Sequence, residues 1–268
     1  MKSVRVSQAT FGFRIPDARH NLCRLFPKAG CVAVIAFWGL FLAASLPGSA
    51  AQPSDRVVVM ISVDGLPAYY FDDPKAEMPT IRALAAAGAR AKAMKVVAPT
   101  VTWPNHTTLV TGVTPARHGV LGNNYMDHST GKRIRVIWDP VYDKDAIVKT
   151  PTVYDLAKAS GYRTAAIRWP ASRNAKTLDW TLPDMAPGEL MLKCTTPALL
   201  QACDQAGITF GKGKTTPDSV DPSDATVTRI FNMILHDDHP NLALLHFLEV
   251  DHLQHAYGPR SPRAYAAI

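Results

Sequence analysis

Cysteine is scarce in this chain: four residues in 268. Two of them, Cys23 and Cys31, fall in a basic and then apolar N-terminal stretch. The other two, Cys194 and Cys203, have no Cys or His neighbours at zinc-finger spacing, which argues against a structural zinc module. In an oxidising compartment such an isolated even pair is expected to close a surface loop as a disulfide. Excess charge is equally thin once its location is considered. Lys2, Arg5, Arg14, Arg19, Arg24 and Lys28 stand against Asp17 alone in residues 1–50 and supply +5 of the formal net charge of +7. The remainder is near +2 and has no clustered basic face, so nothing marks a nucleic-acid-binding surface.

Long apolar runs are also missing. The longest, residues 31–46, is sixteen residues, short of the roughly 20 a spanning helix needs. It follows the N-terminal bases and precedes the small residues Pro47-Gly-Ser-Ala50-Ala51, the order of an export signal. Cleavage near Ala50 and a periplasmic or extracellular product are expected, an uncleaved anchor through residues 31–46 being the alternative. Residues 51–268 then form one domain with a core of useful size. A phosphate-binding P-loop is absent too: in Gly211-Lys-Gly-Lys-Thr215 the required first glycine is Ile208, and Pro217 prevents the following helix.

What is present is concentrated in residues 100–123. Thr102 stands where a helix begins, since Pro104 suits a first turn and Gly112 a stop. Free backbone N–H groups and the positive end of the helix dipole favour an alkoxide and an incoming phosphate oxygen there. Thr102 is therefore a candidate nucleophile; capping of the helix by Thr100 or Thr102 is the plainer reading. Upstream, Val57-Val-Val-Met-Ile-Ser-Val63 is a buried-strand run ending at Asp64-Gly65. Downstream, a second run over residues 242–250 ends at Asp251, with His255 four residues on. Sites in open α/β sheets lie outside the carboxyl ends of the strands, so Asp64, Thr102, Asp251 and His255 are expected to meet at one edge.

Between these runs, residues 79–87 read as an amphipathic helix closed by Gly88, 89–97 as a strand, and 123–149 as a hairpin about Gly131. A helix over 152–160 stopped by Gly161 leads to a strand over 162–167. Residues 168–222, rich in Pro, Gly, Lys and Thr, read as a long insertion with little regular structure. Ser223 caps a helix to about residue 237, and residues 261–268 open another. The alternation predicts an α/β fold: a mostly parallel central sheet with helices on both faces. His106, His118, His246 and His252 read as structural histidines, and Asp72 and Asp73 as solvated loop acids. Asn105-His-Thr107 matches a glycosylation sequon, but it lies inside the proposed site and carries little weight.

Four blocks together are more specific. Met60-Ile-Ser-Val-Asp64-Gly65, Pro99-Thr-Val-Thr102-Trp-Pro-Asn-His106, Thr111-Gly-Val-Thr-Pro-Ala-Arg-His118-Gly119 through Asn123, and Glu249-Val-Asp251-His-Leu-Gln-His255-Ala-Tyr-Gly258 resemble the nucleotide pyrophosphatase/phosphodiesterase family of the alkaline phosphatase superfamily. The resemblance implies an alkaline-phosphatase-like two-zinc hydrolase of phosphodiester or pyrophosphate bonds, acting on small nucleotide-type substrates. By position, Asp64 and Thr102 would bind one Zn2+, with Thr102 also the nucleophile. Asp251 and His255 would bind the other, and the Asn123 amide would hold a phosphoryl oxygen. Family members continue further and supply, in that later region, an Asp-His pair and a further His to the two zincs. The chain is thus expected to be the N-terminal part of such a catalytic domain, each zinc shell partial and an apolar sheet edge bare; a catalytically incomplete fragment is one alternative.

Sulfatases of the superfamily need a Cys or Ser converted to an aldehyde hydrate, which Thr102 cannot supply. A phosphomonoesterase with the same core is the other enzymatic alternative; Trp103 beside the nucleophile, in place of a Lys or Arg, leans toward diesters.

Overall fold

The computed structural model describes residues 56–137, 142–214, 216–217 and 220–268. The targeting segment expected over residues 1–50 lies outside them. Its centre is a four-stranded parallel sheet of β1 (Val58–Val63), β4 (Thr164–Ile167), β5 (Trp180–Leu182) and β6 (Leu242–Phe247), ordered β1-β6-β4-β5. A separate antiparallel hairpin, β2 (Asn124–Asp127) and β3 (Lys132–Arg135), turns at Gly131 as the sequence predicts.

Alternation along the central strands sends side chains to two cores. From β4 and β6, Ala165, Ile167, Ala243 and Leu245 pack with Val227, Ile230 and Phe231 of α6 (Asp224–Met233) and with Leu199 of α5 (Pro197–Gln205). On the other face, Ala166, Leu242 and Leu244 pack with Val110 of α2 (Thr102–Thr111) and Tyr154 of α3 (Val153–Ala159). Helices thus cover both faces, as expected. Ser223 caps its helix as the sequence suggests, and Thr152 caps another. Ser223 accepts from Thr226 N, and Thr152 forms a full capping box with Asp155. Beyond α6 the chain widens into a π-helical turn, Ile234–Asp238, before β6.

Among the described residues β1 pairs only with β6. Val58 and Ile61 of β1 are 58% and 54% exposed. α1 (Pro79–Ala87) buries none of its residues.

Four expectations need correction. Residues 89–97 form no strand: Met94 and Val96 are exposed and find no sheet edge. The Asn105 side chain holds that segment instead, accepting from Val97 N at 2.8 Å and donating to the carbonyls of Val97, Pro99 and Val101. Residues 168–222 are not an unstructured insertion. They supply β5, α4 (Glu189–Cys194) and α5, and bury Trp169, Leu182, Met191 and Leu199. Cys194 and Cys203 are free thiols in the core beneath those helices, not a surface disulfide, and burial raises both thiol pKa values. Asp73 is not a solvated acid either. It accepts from the Tyr265 hydroxyl at 2.7 Å and from Lys75 N, tying the loop after β1 to α8 (Pro262–Ala267). Asp72, by contrast, has 80% of its side chain exposed.

Candidate active site

The carboxyl edge of the sheet gathers all five residues singled out in the sequence. Asp64 follows β1, its N–H donating to Phe247 O at 3.0 Å, so pairing with β6 fixes where its carboxylate sits. Oδ1 accepts from Gly65 N at 3.1 Å, and Oδ2 accepts from Thr102 Oγ1 at 2.9 Å. Thr102 is the first residue of α2, whose N-cap is Val101 without any side-chain bond. The threonine hydroxyl is therefore committed to Asp64 and does not cap the helix. The next amide, Trp103 N, donates to Asn123 Oδ1 at 3.0 Å. Asn123 is held in turn by the hairpin, since its carbonyl accepts from Val136 N and Ile137 N. With its oxygen so engaged, the Asn123 amide has N–H groups to offer.

Asp251 and His255 arrive differently from expectation. β6 stops at Phe247, and both residues lie on α7 (Glu249–Tyr257), one turn apart, with Asp251 Oδ2 and His255 Nε2 3.4 Å from each other. The start of α7 is fixed by Asp224, whose carboxylate accepts from Leu248 N and Glu249 N, both at 3.0 Å. Gly65 closes the gap between the two halves. With φ +66° it brings backbone so near α7 that a Cβ there would stand 2.6 Å from Asp251 Cα. The Gln254 side chain donates to Gly65 O and completes this junction.

Two buried histidines lie beneath Asp64. His246 is fully buried, with Nδ1 donating to Arg168 O at 2.9 Å and Nε2 3.5 Å from Asp64 Oδ2 without a hydrogen-bond partner. Burial alone would strip its proton, but the carboxylates of Asp64 and Asp184 reverse the balance and raise its pKa. Asp64 shows the reciprocal effect: burial raises its pKa, yet His246, His106 and the Thr102 hydroxyl together bring it down to about 2. His106 packs against His246 at 4.2 Å between ring centroids. Burial first and the His246 charge second lower its pKa to about 4, so it is neutral, bridging Thr102 O and Ser62 Oγ. His118 lies buried further off, between Thr108 Oγ1 and Val120 N. Asp251 is raised, by burial and then by the nearby negative charge of Asp64.

These groups border one cavity of about 290 Å³, lined by Asp64, Thr102, Trp103, Asn123, Asp251 and His255. His252, bonded to Thr216 O, stands at its rim. Sequence reasoning missed two further wall residues, Arg168 and Asp184. Both come from the stretch read as irregular, and the signal that existed was an Arg directly after a strand. Among the described residues, no three His, Cys, Asp or Glu side chains converge on one point. The donors come instead as two pairs, Asp64 with Thr102 and Asp251 with His255.

The cluster sits at the carboxyl edge of a parallel sheet covered by helices on both faces, an α/β architecture. The family model for type I phosphodiesterase / nucleotide pyrophosphatase matches residues 58–268, and the chain belongs to that family. Among curated proteins it is 31% identical over 115 residues to mouse (Mus musculus) ectonucleotide pyrophosphatase/phosphodiesterase family member 3, covering 43% of this chain and 13% of that one. A venom phosphodiesterase from Macrovipera lebetinus matches to the same extent. The chain thus spans about an eighth of the length of these relatives. Among solved structures, an inactive threonine-to-alanine variant of murine ectonucleotide pyrophosphatase/phosphodiesterase 5 in complex with AMP superposes with a TM-score of 0.54 at 20% identity. It covers 79% of this chain and 48% of that one. Phosphonoacetate hydrolase from Sinorhizobium meliloti superposes with 0.56 at 20% identity, covering 80% and 51%.

Proposed function

We propose that this chain carries the nucleophile half of a zinc-dependent hydrolase of phosphodiester or pyrophosphate bonds in small nucleotide-type substrates. The observation that carries the reading is the 2.9 Å hydrogen bond from Thr102 Oγ1 to Asp64 Oδ2 at the start of α2, facing a cavity that Asn123 also lines. Asp64 orients the hydroxyl so that an oxygen lone pair is available toward the cavity. Thr102 Oγ1 gives up its proton to solvent by way of Asp64 and attacks phosphorus, the bond to the leaving oxygen breaks as that oxygen takes a proton from water, and a phospho-threonine forms that water then hydrolyses to regenerate the hydroxyl. Charge gathering on the phosphoryl oxygens would be met by the Asn123 amide and by the positive end of the α2 dipole.

The donor set fits zinc in kind: carboxylates, an imidazole and a hydroxyl. Burial, and after it the negative charge of Asp64, raises the Asp251 carboxyl, so a cation placed there would be favoured. Asp64 and Thr102 would hold one ion, Asp251 and His255 the other. When bound, zinc supplies Lewis acidity and lowers the pKa of a ligated hydroxyl. Two protein donors per ion are fewer than the three usual for catalytic zinc, which sets the affinity expected of this chain low. Export through residues 1–50 belongs to the same reading; among the described residues no helix is long and apolar enough to cross a membrane.

The test is turnover of an aryl phosphodiester by the zinc-supplemented chain with Thr102→Ala as control. A loss of at least about 10³-fold is expected for a missing nucleophile. Turnover that survives the substitution would sink the assignment.

A further inference from the structure

Arg168 and Asp184 share the cavity wall with Thr102 and Asn123. Arg168 follows β4 in a left-handed conformation, φ +59°, that residues other than glycine rarely adopt and that concentrates at functional positions. Only 4% of it is exposed. Nη1 donates to Met185 O at 3.0 Å, Nη2 lies 3.3 Å from Asp184 Oδ1, and Nε has no hydrogen-bond partner. The other oxygen of Asp184 accepts from the Trp103 indole N–H at 3.1 Å, and Trp103 directly follows Thr102. A guanidinium alone at this place would be a ready receptor for a phosphoryl group carrying two negative charges. Beside Asp184 it presents no net charge.

We propose that Asp184 sets the substrate class of this site: by pairing with Arg168 it keeps the wall beside Thr102 neutral, favouring singly charged phosphodiesters over doubly charged monoesters. The inference rests on the reading of Thr102 as nucleophile and extends it from reaction to selectivity. One unit of wall charge within about 8 Å separates a dianion from a monoanion by on the order of tenfold at an effective dielectric constant of about 20. The arrangement also explains how an arginine can line the cavity without reversing the preference suggested by Trp103. Asp184 acts through Arg168 and is a specificity-determining residue.

The experiment compares the zinc-supplemented full chain with Asp184→Asn, Arg168→Met and the double variant. Two quantities are read: the ratio of kcat/KM for an aryl phosphate monoester to that for the matching diester, and the affinity for inorganic phosphate by calorimetry. Asp184→Asn keeps an oxygen for the Trp103 indole but unmasks Arg168, and should raise both by tenfold or more. Arg168→Met leaves the carboxylate alone and should lower both. The double variant, neutral again, should return to within about threefold of the parent. Equal phosphate affinities across the set, or a double variant that follows either single one, would overturn the proposal. Should Asp184→Asn fail to fold, seen by circular dichroism, Arg168→Met and the double variant still decide it. Phosphate binding needs no turnover, so the affinities judge the wall on their own, whereas Thr102→Ala judges the nucleophile assignment.

Discussion

The two halves of the site are built to different standards. On the strand side, Asp64 is 20% exposed, each of its oxygens accepts a hydrogen bond, and a buried histidine stands at 3.5 Å. On the helix side, Asp251 and His255 have side chains 35% and 81% exposed and face each other across one turn of α7. One half is held by partly buried hydrogen bonds; the other is a carboxylate and an imidazole set against each other at the surface. Desolvated charges with fixed partners contribute to the fold, whereas exposed pairs contribute little until something binds them. The proposed nucleophile, Thr102, is therefore preset, and the opposite half is where metal binding should be felt if the proposal holds.

The contrast is broken most severely at Asp64. Asp64→Ala deprives Thr102 of its acceptor and removes the carboxylate that faces the buried His246. Losing one partner of a buried pair costs about 3 kcal/mol or more. Calorimetry should show that loss in metal-free protein, together with diester turnover reduced by at least about 10³-fold. Asp251→Ala should reduce turnover comparably while leaving metal-free stability at or above that of the parent. Equal destabilisation by both would show that the halves do not differ as described.

Acid sharpens the same difference with a smaller effect. Asp64 falls from an unfolded value of 3.8 to about 2 when folded, its carboxylate being favoured by His246, His106 and Thr102 despite burial. Its contribution, about 2 kcal/mol from that shift, is fully present above pH 4 and lost as pH falls through 2. Asp251 carries the opposite sign. Its folded pKa is raised, so its ionised form weakens the fold at neutral pH, and that penalty disappears as pH drops below its unfolded value. With zinc chelated, denaturant midpoints of the parent and Asp64→Asn should converge between about pH 4 and 2. Asp251→Asn should gain stability at pH 7. A constant gap between the parent and Asp64→Asn over that acid range would contradict the cause assigned to the shift.

The strand side was also the legible side. A β-branched run closing on Asp64-Gly65 and a Thr-Trp-Pro helix start are local patterns, and the structure keeps them in place. The helix side was legible only as residue types. A strand was expected to run to Asp251, but Asp224, 24 residues before Leu248, captures the amides that start α7. No local pattern announces such a contact. Arg168 and Asp184 were hidden for a related reason: turn-forming composition over residues 168–222 masks β5 and the helices that pack beneath it. Residues 89–97 show the reverse error, an alternating run that finds no sheet edge and is tied down by Asn105. Cys194 and Cys203 followed compartment logic to a disulfide, whereas hydrophobic burial decides their fate.

The smallest effect isolates the helix side. His255 is exposed, and its contact with Asp251 is a surface pair, so His255→Ala should change metal-free stability by no more than about 0.5 kcal/mol. Its consequence should appear only on adding zinc. A ligand that binds the folded state alone raises the melting temperature with its concentration, so the parent should gain stability along a zinc titration. The variant, with one donor left on that side, should gain less at every concentration. A melting curve that shifts equally in both proteins would place zinc elsewhere and separate His255 from the metal. A large loss in the chelated variant would mean instead that this histidine holds the fold together, and the two halves would then differ in exposure without differing in role.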